Sequence, residues 1–560
     1  MSTPPQHSHT HAPVFNFELL HSIVLSFADR LFEESNKIPV FKYIVQYIRK
    51  SHQDDPYRTM IELCLIIYGI IYFLAKPKKT RAHNANNLYL SNKETNLLIE
   101  EWEPEPLAVP ISEDVDKSGA AWRLKSIPKI VKYYNSKPNY VDLQVNGAEN
   151  TYTNVLNMSS FNFLQLNTHP EVMDAITETI KNYGVGSCGP AGFYGNEDVH
   201  YNLEYDLAKF FGTENAVLYG QDFCVAPSVL STFAKRGDFI VADNQVSVSI
   251  QNALSLSRST VYYYQHNDMD SLESLLIKIN EDEKHEPIIH RKFIVTEAVF
   301  HNSGDLCPLD KIAELKEKYK FRLFLDETLS LGVLGAHGKG ITEHFGFEKT
   351  GSVVDIVVGS MANVFGLSGG FVLGDDVMSY FQRIGSNAYC FSASLPPYGA
   401  KGCSAILDVL KRDNSTVLNL QKNSRKLHDL FFSTTSILNY FQITSSEYSP
   451  IVHLSLTPDF RYSKFGSTLE DIYAKLLKQQ ETCKQDIEIE EFNKEEFFLQ
   501  SIANKVLERG NILIARNPHA LKHESLPISP SLLVCCSSSM SDEEIVKSFN
   551  VIKEVIMEVV

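Results

Sequence analysis

Apolar and polar positions change rhythm several times along this chain. From Val14 to Phe32 the apolar residues Phe15, Leu19, Leu20, Ile23, Val24, Phe27, Leu31 and Phe32 fall near helical spacing. A second amphipathic run covers Ile38 to Ile48, with Lys42, Arg49 and Lys50 as its basic edge. Such runs suit a membrane interface as well as a core. Met60 to Ala75 is then almost wholly apolar, broken only by Glu62 and Gly69, and Lys76, Lys78, Lys79 and Arg81 follow at once. The run is slightly shorter than the ~20 residues that usually span a bilayer, so a buried helix is the alternative. Its basic stop predicts a single transmembrane helix over 57–76, with the C-terminal bulk of the chain in the cytosol. No cleavable signal is expected ahead of it.

Residues 1–56 thus read as a disordered tail followed by interfacial helices. Residues 77–150 read as a polar, proline-broken linker and N-terminal extension, stiffest at Trp102-Glu-Pro-Glu-Pro-Leu107. After Tyr152 short apolar runs alternate with amphipathic helical patterns, which predicts a large doubly wound α/β domain over 151–415. Its strand candidates are Ala216–Tyr219, Phe239–Ala242, Phe293–Thr296, Arg322–Asp326, Ile356–Gly359 and Gly370–Leu373. Residues 416–560 predict a smaller α+β unit, with a charged insertion near 478–496 that reads as a solvated surface.

Composition narrows the function classes. The chain has 560 residues, more than one compact core holds, and its 44% hydrophobic content excludes wholesale disorder. A formal charge of −16 argues against nucleic acid as a partner. The nine cysteines form no CxxC pair, so neither a disulfide framework nor a metal site is predicted. His7, His9 and His11 alternate in the polar tail, where a solvated segment is the simpler reading than a metal site.

Candidate chemistry gathers where predicted strands end. Asp326 closes Arg322-Leu-Phe-Leu-Asp, and in open parallel sheets ligands collect at such carboxyl ends. The strand Asp355-Ile-Val-Val-Gly-Ser360 leads into Met361-Ala-Asn-Val-Phe-Gly-Leu-Ser-Gly-Gly370, and the glycine-rich Gly332-Val-Leu-Gly-Ala-His-Gly-Lys-Gly340 lies between. These segments resemble the α-oxoamine synthases, pyridoxal-phosphate enzymes of aminotransferase fold type I that join an amino acid to an acyl-CoA. The resemblance extends through Asn162-Phe-Leu-Gln-Leu, Gly184–Gly195, Glu204, Thr296-Glu297, Gly304-Asp305 and Phe391-Ser-Ala-Ser-Leu-Pro-Pro397, and covers residues 150 to 560 in order.

The resemblance also brings departures. Active members carry a lysine that forms an imine with the coenzyme, and here the register puts Asn363 in its place. An amide forms no imine. Lys339 lies in the glycine loop and Lys349 precedes the strand, so neither is a substitute. The family's ring-stacking histidine falls near Ser247, a second histidine near Leu329, and a late substrate-carboxylate arginine near Ser531 or Leu533. Asp326, the pyridinium partner, is retained as a vestigial position.

Within the family the chain is most similar to the fungal type of lysine-less long-chain-base subunit of serine palmitoyltransferase. That likeness rests on Ser51-His-Gln-Asp-Asp-Pro-Tyr-Arg58, Trp102–Leu107, Gly189–Asn196 and Gly385–Ser392. It implies a non-catalytic but required subunit, paired with a lysine-bearing second subunit that holds the pyridoxal 5'-phosphate. The implied reaction condenses L-serine with palmitoyl-CoA to 3-oxosphinganine at the endoplasmic reticulum membrane. A small activating subunit and Orm-type regulators are implied as further partners. Ser392 and Ser394 are implied contacts to the partner's coenzyme phosphate, and Cys188, Gly189 and Tyr194 are implied interface positions. For Cys188, simple packing competes equally with an interface role. Two other readings are a self-sufficient acyltransferase using another lysine, and a non-enzymatic membrane scaffold.

Overall fold

The computed structural model describes residues 54–75, 91–102, 126–145, 151–284, 288–482, 489–517, 524–526 and 528–560, together with Tyr43, Tyr47 and Lys50. The two amphipathic runs predicted over 14–32 and 38–48 therefore lie almost wholly outside the described residues, as does the linker motif beyond Trp102. The chain divides into two compact units, Met1–Pro110 and Ile111–Val560.

In the first unit, Pro56–Ala75 is one continuous helix of 20 residues. Leu65, Ile66, Ile67, Ile70, Ile71, Phe73 and Leu74 are all exposed along it. Among the described residues, no helix is long and apolar enough to cross a membrane. The transmembrane helix predicted over 57–76 is accordingly not retained. Glu62 interrupts the apolar run, and residues 63–75 make only about 20 Å of helix, against a hydrocarbon core of roughly 30 Å. A second helix, Asn92–Glu101, starts with a reciprocal cap, in which Ser91 and Glu94 satisfy each other's backbone N–H groups.

The second unit is built on three sheets. A four-stranded one has the order β1-β2-β3-β13, from Pro128–Tyr133, Tyr140–Val145, Thr151–Asn157 and Ile512–Leu513. Two of these strands lie in the stretch read as linker. Val141, Asp142 and Leu143 are all buried there, so proline-broken polarity around them concealed a strand.

The central sheet has seven strands in the order β4-β10-β9-β8-β7-β5-β6. They are β4 (Asn215–Tyr219), β5 (Phe239–Asp243), β6 (Thr260–Tyr264), β7 (Lys292–Glu297), β8 (Arg322–Asp326), β9 (Ile356–Ser360) and β10 (Gly370–Gly374). Strands β9, β8, β7, β5 and β6 pair in parallel, and β10 alone runs antiparallel to both its neighbours. Strands β8 and β9 are apolar on both faces because helices cover both sides. The third sheet, β11-β12-β15-β14, comprises Phe441–Ile443, Ile451–Leu456, Ser531–Cys535 and Ala515–Arg516.

At its C-terminal end the charged stretch near 478–496 departs from its predicted solvated surface, while Lys478, Glu481, Glu490 and Lys494 are exposed as expected. Glu490–Gly510 is a long helix in which Glu495 and Glu496 are fully buried. Each is neutralised by an arginine: Arg461 grips Glu495 through Nε at 2.8 Å and Nη2 at 3.0 Å, and Arg516 pairs with Glu496. Charge density alone could not distinguish these paired carboxylates from a solvated face.

Candidate functional site

Parallel pairing aligns the carboxyl ends of β5, β7, β8 and β9, so Asp243, Glu297, Asp326 and Ser360 end on the same edge of the sheet. A cavity of about 140 Å³ opens there, lined by Asp222, Phe223, Ser247, Ser249, His301, Asn302, Asp326, Thr328, Asn363 and Glu524 among others. That is below the usual ~300–1,000 Å³ of small-molecule pockets.

Asp326 is buried and its Oδ1 accepts the Thr328 N–H at 2.8 Å. Glu297 stands behind it, accepting the N–H groups of Ser247 at 2.6 Å and His301 at 2.9 Å. Burial raises the pKa of both carboxyl groups. The Asp326 charge raises that of Glu297 further, whereas hydrogen bonding from Thr328 opposes the shift of Asp326. The two acids do not both ionise readily.

Asn363 occupies the turn between β9 and β10, on the wall of the same cavity as Asp326. Its N–H donates to Ser360 Oγ at 2.9 Å, and its Nδ2 makes a long 3.5 Å contact with Asp222 Oδ2. Ser360 Oγ donates to the same Asp222 oxygen at 3.1 Å. The next residue, Val364, is buried with φ of 66°, a left-handed conformation that costs a β-branched residue roughly 1–3 kcal/mol. Its N–H donates to Phe161 O at 2.8 Å, which pins the turn to the segment at 161–164.

Glu524 closes the cavity from the C-terminal side. It accepts from Gln251 Nε2 at 2.7 Å, while the Ser525 N–H donates to Gln251 Oε1 at 2.8 Å, fixing this segment on the helix Val248–Ser257. Three carboxylates, Asp222, Asp326 and Glu524, line the cavity, and among the described residues no lysine or arginine does. Lys349 is committed elsewhere: its Nζ lies 2.6 Å from Glu327 Oε1, and both side chains are buried. Lys339 sits 5.8 Å above the Phe210 ring. Sequence reasoning identified Asp326, Ser247 and Asn363 but missed Asp222, Glu524, His301 and Asn302. Of these, Asp222 stands three residues after a strand end and three before a helix, a pattern too common to single it out.

The positions implied for an interface meet at a second location. Cys188 is exposed with φ of 51°. A Cβ on Gly189 would lie 2.6 Å from the Tyr194 ring, and one on Gly195 only 1.9 Å from Gly189 O, so this loop folds back on itself only with glycine at both positions. The Ser394 N–H donates to Gly189 O at 2.9 Å, and the Ser187 hydroxyl donates to Ser394 O at 3.1 Å. Ser394 is buried and its hydroxyl donates to Asn196 Oδ1 at 3.0 Å, whereas Ser392 is exposed. Phe193, Tyr194 and Phe391 stand 67%, 78% and 73% exposed beside them. This patch adjoins the cavity wall: Ala393 O lies 2.7 Å from where a Cβ on Gly220 would be, two residues before Asp222.

The sheet order, the site at the strand ends and the small C-terminal sheet define the class. A family model described as aminotransferase class I and II matches residues 153–545. A serine palmitoyltransferase from S. paucimobilis, solved with a bound PLP–myriocin aldimine, superposes with a TM-score of 0.62 at 19% identity, over 78% of this chain and 93% of that one. A serine palmitoyltransferase from Sphingomonas wittichii gives 0.62 at 19% identity, over 83% and 96%. Both likenesses establish the fold. In sequence, serine palmitoyltransferase 1 of Saccharomyces cerevisiae is 53% identical over 523 residues, covering 93% of this chain and 92% of that protein. Serine palmitoyltransferase 1 of Dictyostelium discoideum is 34% identical, over 88% and 93%. The chain belongs to the serine palmitoyltransferase 1 family, on the aminotransferase class I and II fold.

Proposed function

We propose that this chain is the subunit of serine palmitoyltransferase that holds no coenzyme of its own. It completes a partner chain that bears the lysine and the pyridoxal phosphate and condenses L-serine with palmitoyl-CoA to 3-oxosphinganine. One observation carries the reading: the residue facing Asp326 across the strand-end cavity is the amide Asn363. The coenzyme needs an amine for its aldehyde, donors for its phosphate and an acid for its ring nitrogen. The acid is present, the amine is not, and Asp222 and Glu524 add negative charge to a cavity that would have to hold a phosphate. The residues lining the cavity do not fit the group.

The part this chain plays is then structural and complementary. Phe193, Tyr194 and Phe391 offer an apolar surface to the partner, the kind of exposed aromatic cluster that anchors interfaces. Ser392 supplies an exposed hydroxyl beside it for the partner's coenzyme phosphate, while Ser394 holds the glycine loop in shape. The exposed apolar helix Pro56–Ala75 keeps the complex on the endoplasmic reticulum membrane, where acyl substrate and product partition. An activating subunit and Orm-type regulators belong to the same proposal.

Co-purification tests it. The chain should bring down a lysine-bearing homologue at equal stoichiometry. Asn363→Ala should leave the activity of the complex within about twofold of the parent, whereas replacing the partner's lysine abolishes it. A large loss from Asn363→Ala, or turnover by the isolated chain, contradicts the proposal.

A further inference from the structure

We propose that Asp222 is a second, independent block on this chain's coenzyme cavity, occupying with its own carboxylate the position a bound phosphate would need. The inference rests on the reading that the chain carries no coenzyme, and goes further by predicting that an amine restored at position 363 is not enough to load it.

Three features fix Asp222 in that role. It lies three residues before the helix Val225–Phe233, whose first N–H, from Val225, donates to Asp222 O at 2.9 Å. The N-terminal end of a helix attracts anions, because its N–H groups have no intrahelical partner and the dipole adds positive potential. Here a carboxylate of the protein itself lines the cavity beside that helix start. The carboxylate is also held from across the cavity, by Ser360 Oγ at 3.1 Å and, more distantly, by Asn363 Nδ2 at 3.5 Å. Its backbone has little room to withdraw: a Cβ on Gly370, the first residue of β10, would lie 3.0 Å from Asp222 Cα.

A coenzyme held at its ring nitrogen by Asp326 and at its aldehyde by position 363 would have to place its phosphate in what remains of the cavity, where the helix start near Asp222 is the anion-favouring part. A phosphate arriving there would carry close to two negative charges toward Asp222, in a pocket whose lining, among the described residues, includes no lysine or arginine. The block therefore acts on charge. It discriminates against pyridoxal phosphate and leaves unphosphorylated pyridoxal unaffected.

The experiment uses the full-length chain and the variants N363K, D222N and N363K/D222N, with intact folding checked by thermal melting. Each is incubated with pyridoxal phosphate or with pyridoxal. The introduced amine condenses with the aldehyde with loss of water, and borohydride then delivers hydride to the imine carbon while nitrogen takes a proton, leaving a stable adduct measured by peptide mass. We expect N363K to trap pyridoxal but little pyridoxal phosphate, and N363K/D222N to trap at least tenfold more of the phosphate. Equal trapping of the phosphate by N363K and the double variant overturns the proposal, as does failure of a folded double variant to trap it. Adduct at the native cavity of the unmutated chain would instead sink the underlying reading.

Discussion

His266 is held between two carboxylates near the end of β5. Its Nδ1 lies 2.9 Å from Asp243 Oδ1, its Nε2 faces Asp305 Oδ2 at an ion-pair distance of 3.6 Å, and its ring meets the edge of Phe300 at 4.6 Å. Burial works to lower the imidazole pKa, but hydrogen bonds and charge from Asp243 and Asp305 outweigh it and raise the value to about 9. Because the folded value exceeds the unfolded value of about 6.5, the stabilisation is complete below pH 6.5 and is lost as pH rises through 9. His266→Gln should cost about 3 kcal/mol near pH 6 and almost nothing at pH 10. Melting temperatures of both proteins across that range would show it, and a pH-independent gap would remove the imidazolium from the account. Not every such residue was legible in the sequence. Asp326 was, because it closes a short apolar strand whose end is where ligands gather, and Asn363 was through the register of the family resemblance. Asp222 and His266 were not. Their meaning depends on β4 lying beside β10, and on Asp243 and Asp305 meeting around one imidazole, which no local pattern encodes.

The glycine-rich connection after β8 shows what can be read of an element. Its glycines announced a tight loop, but the clip that holds it was silent. Glu327 Oε1 pairs with Lys349 Nζ at 2.6 Å, and its Oε2 accepts the Ser330 hydroxyl at 2.6 Å and the Ile341 N–H at 2.9 Å. Gly340 has φ of 91°, and a Cβ there would lie 2.0 Å from Glu327 Oε2. Lys349→Met leaves a buried carboxylate without its countercharge and should cost about 3–5 kcal/mol. A double variant that also replaces Glu327 with Leu should recover part of that loss in chemical denaturation; strictly additive losses would mean the two residues act separately. The six predicted strands of the central sheet correspond to β4, β5, β7, β8, β9 and β10, because runs buried on both faces read as continuous apolar segments. Strand β6 escaped because Thr260 and Tyr263 are exposed at the sheet edge.

At the scale of the whole molecule, the exposed aromatic patch around Tyr194 and Phe391 and the acid-lined cavity tell one story. On the proposed reading, a chain with an acid-lined cavity presents the loop, the exposed Ser392 and the apolar surface through which it completes another site. The helix Pro56–Ala75 was legible as one apolar run, and among the described residues no helix is long and apolar enough to cross a membrane. Labelling the coenzyme where it is bound tests the account most directly. The purified, active complex is reduced with borohydride and both chains are digested and mapped by mass. The pyridoxyl group should appear on one lysine of the partner and nowhere on this polypeptide. A pyridoxyl-lysine in this chain, at a stoichiometry matching activity, would contradict the account.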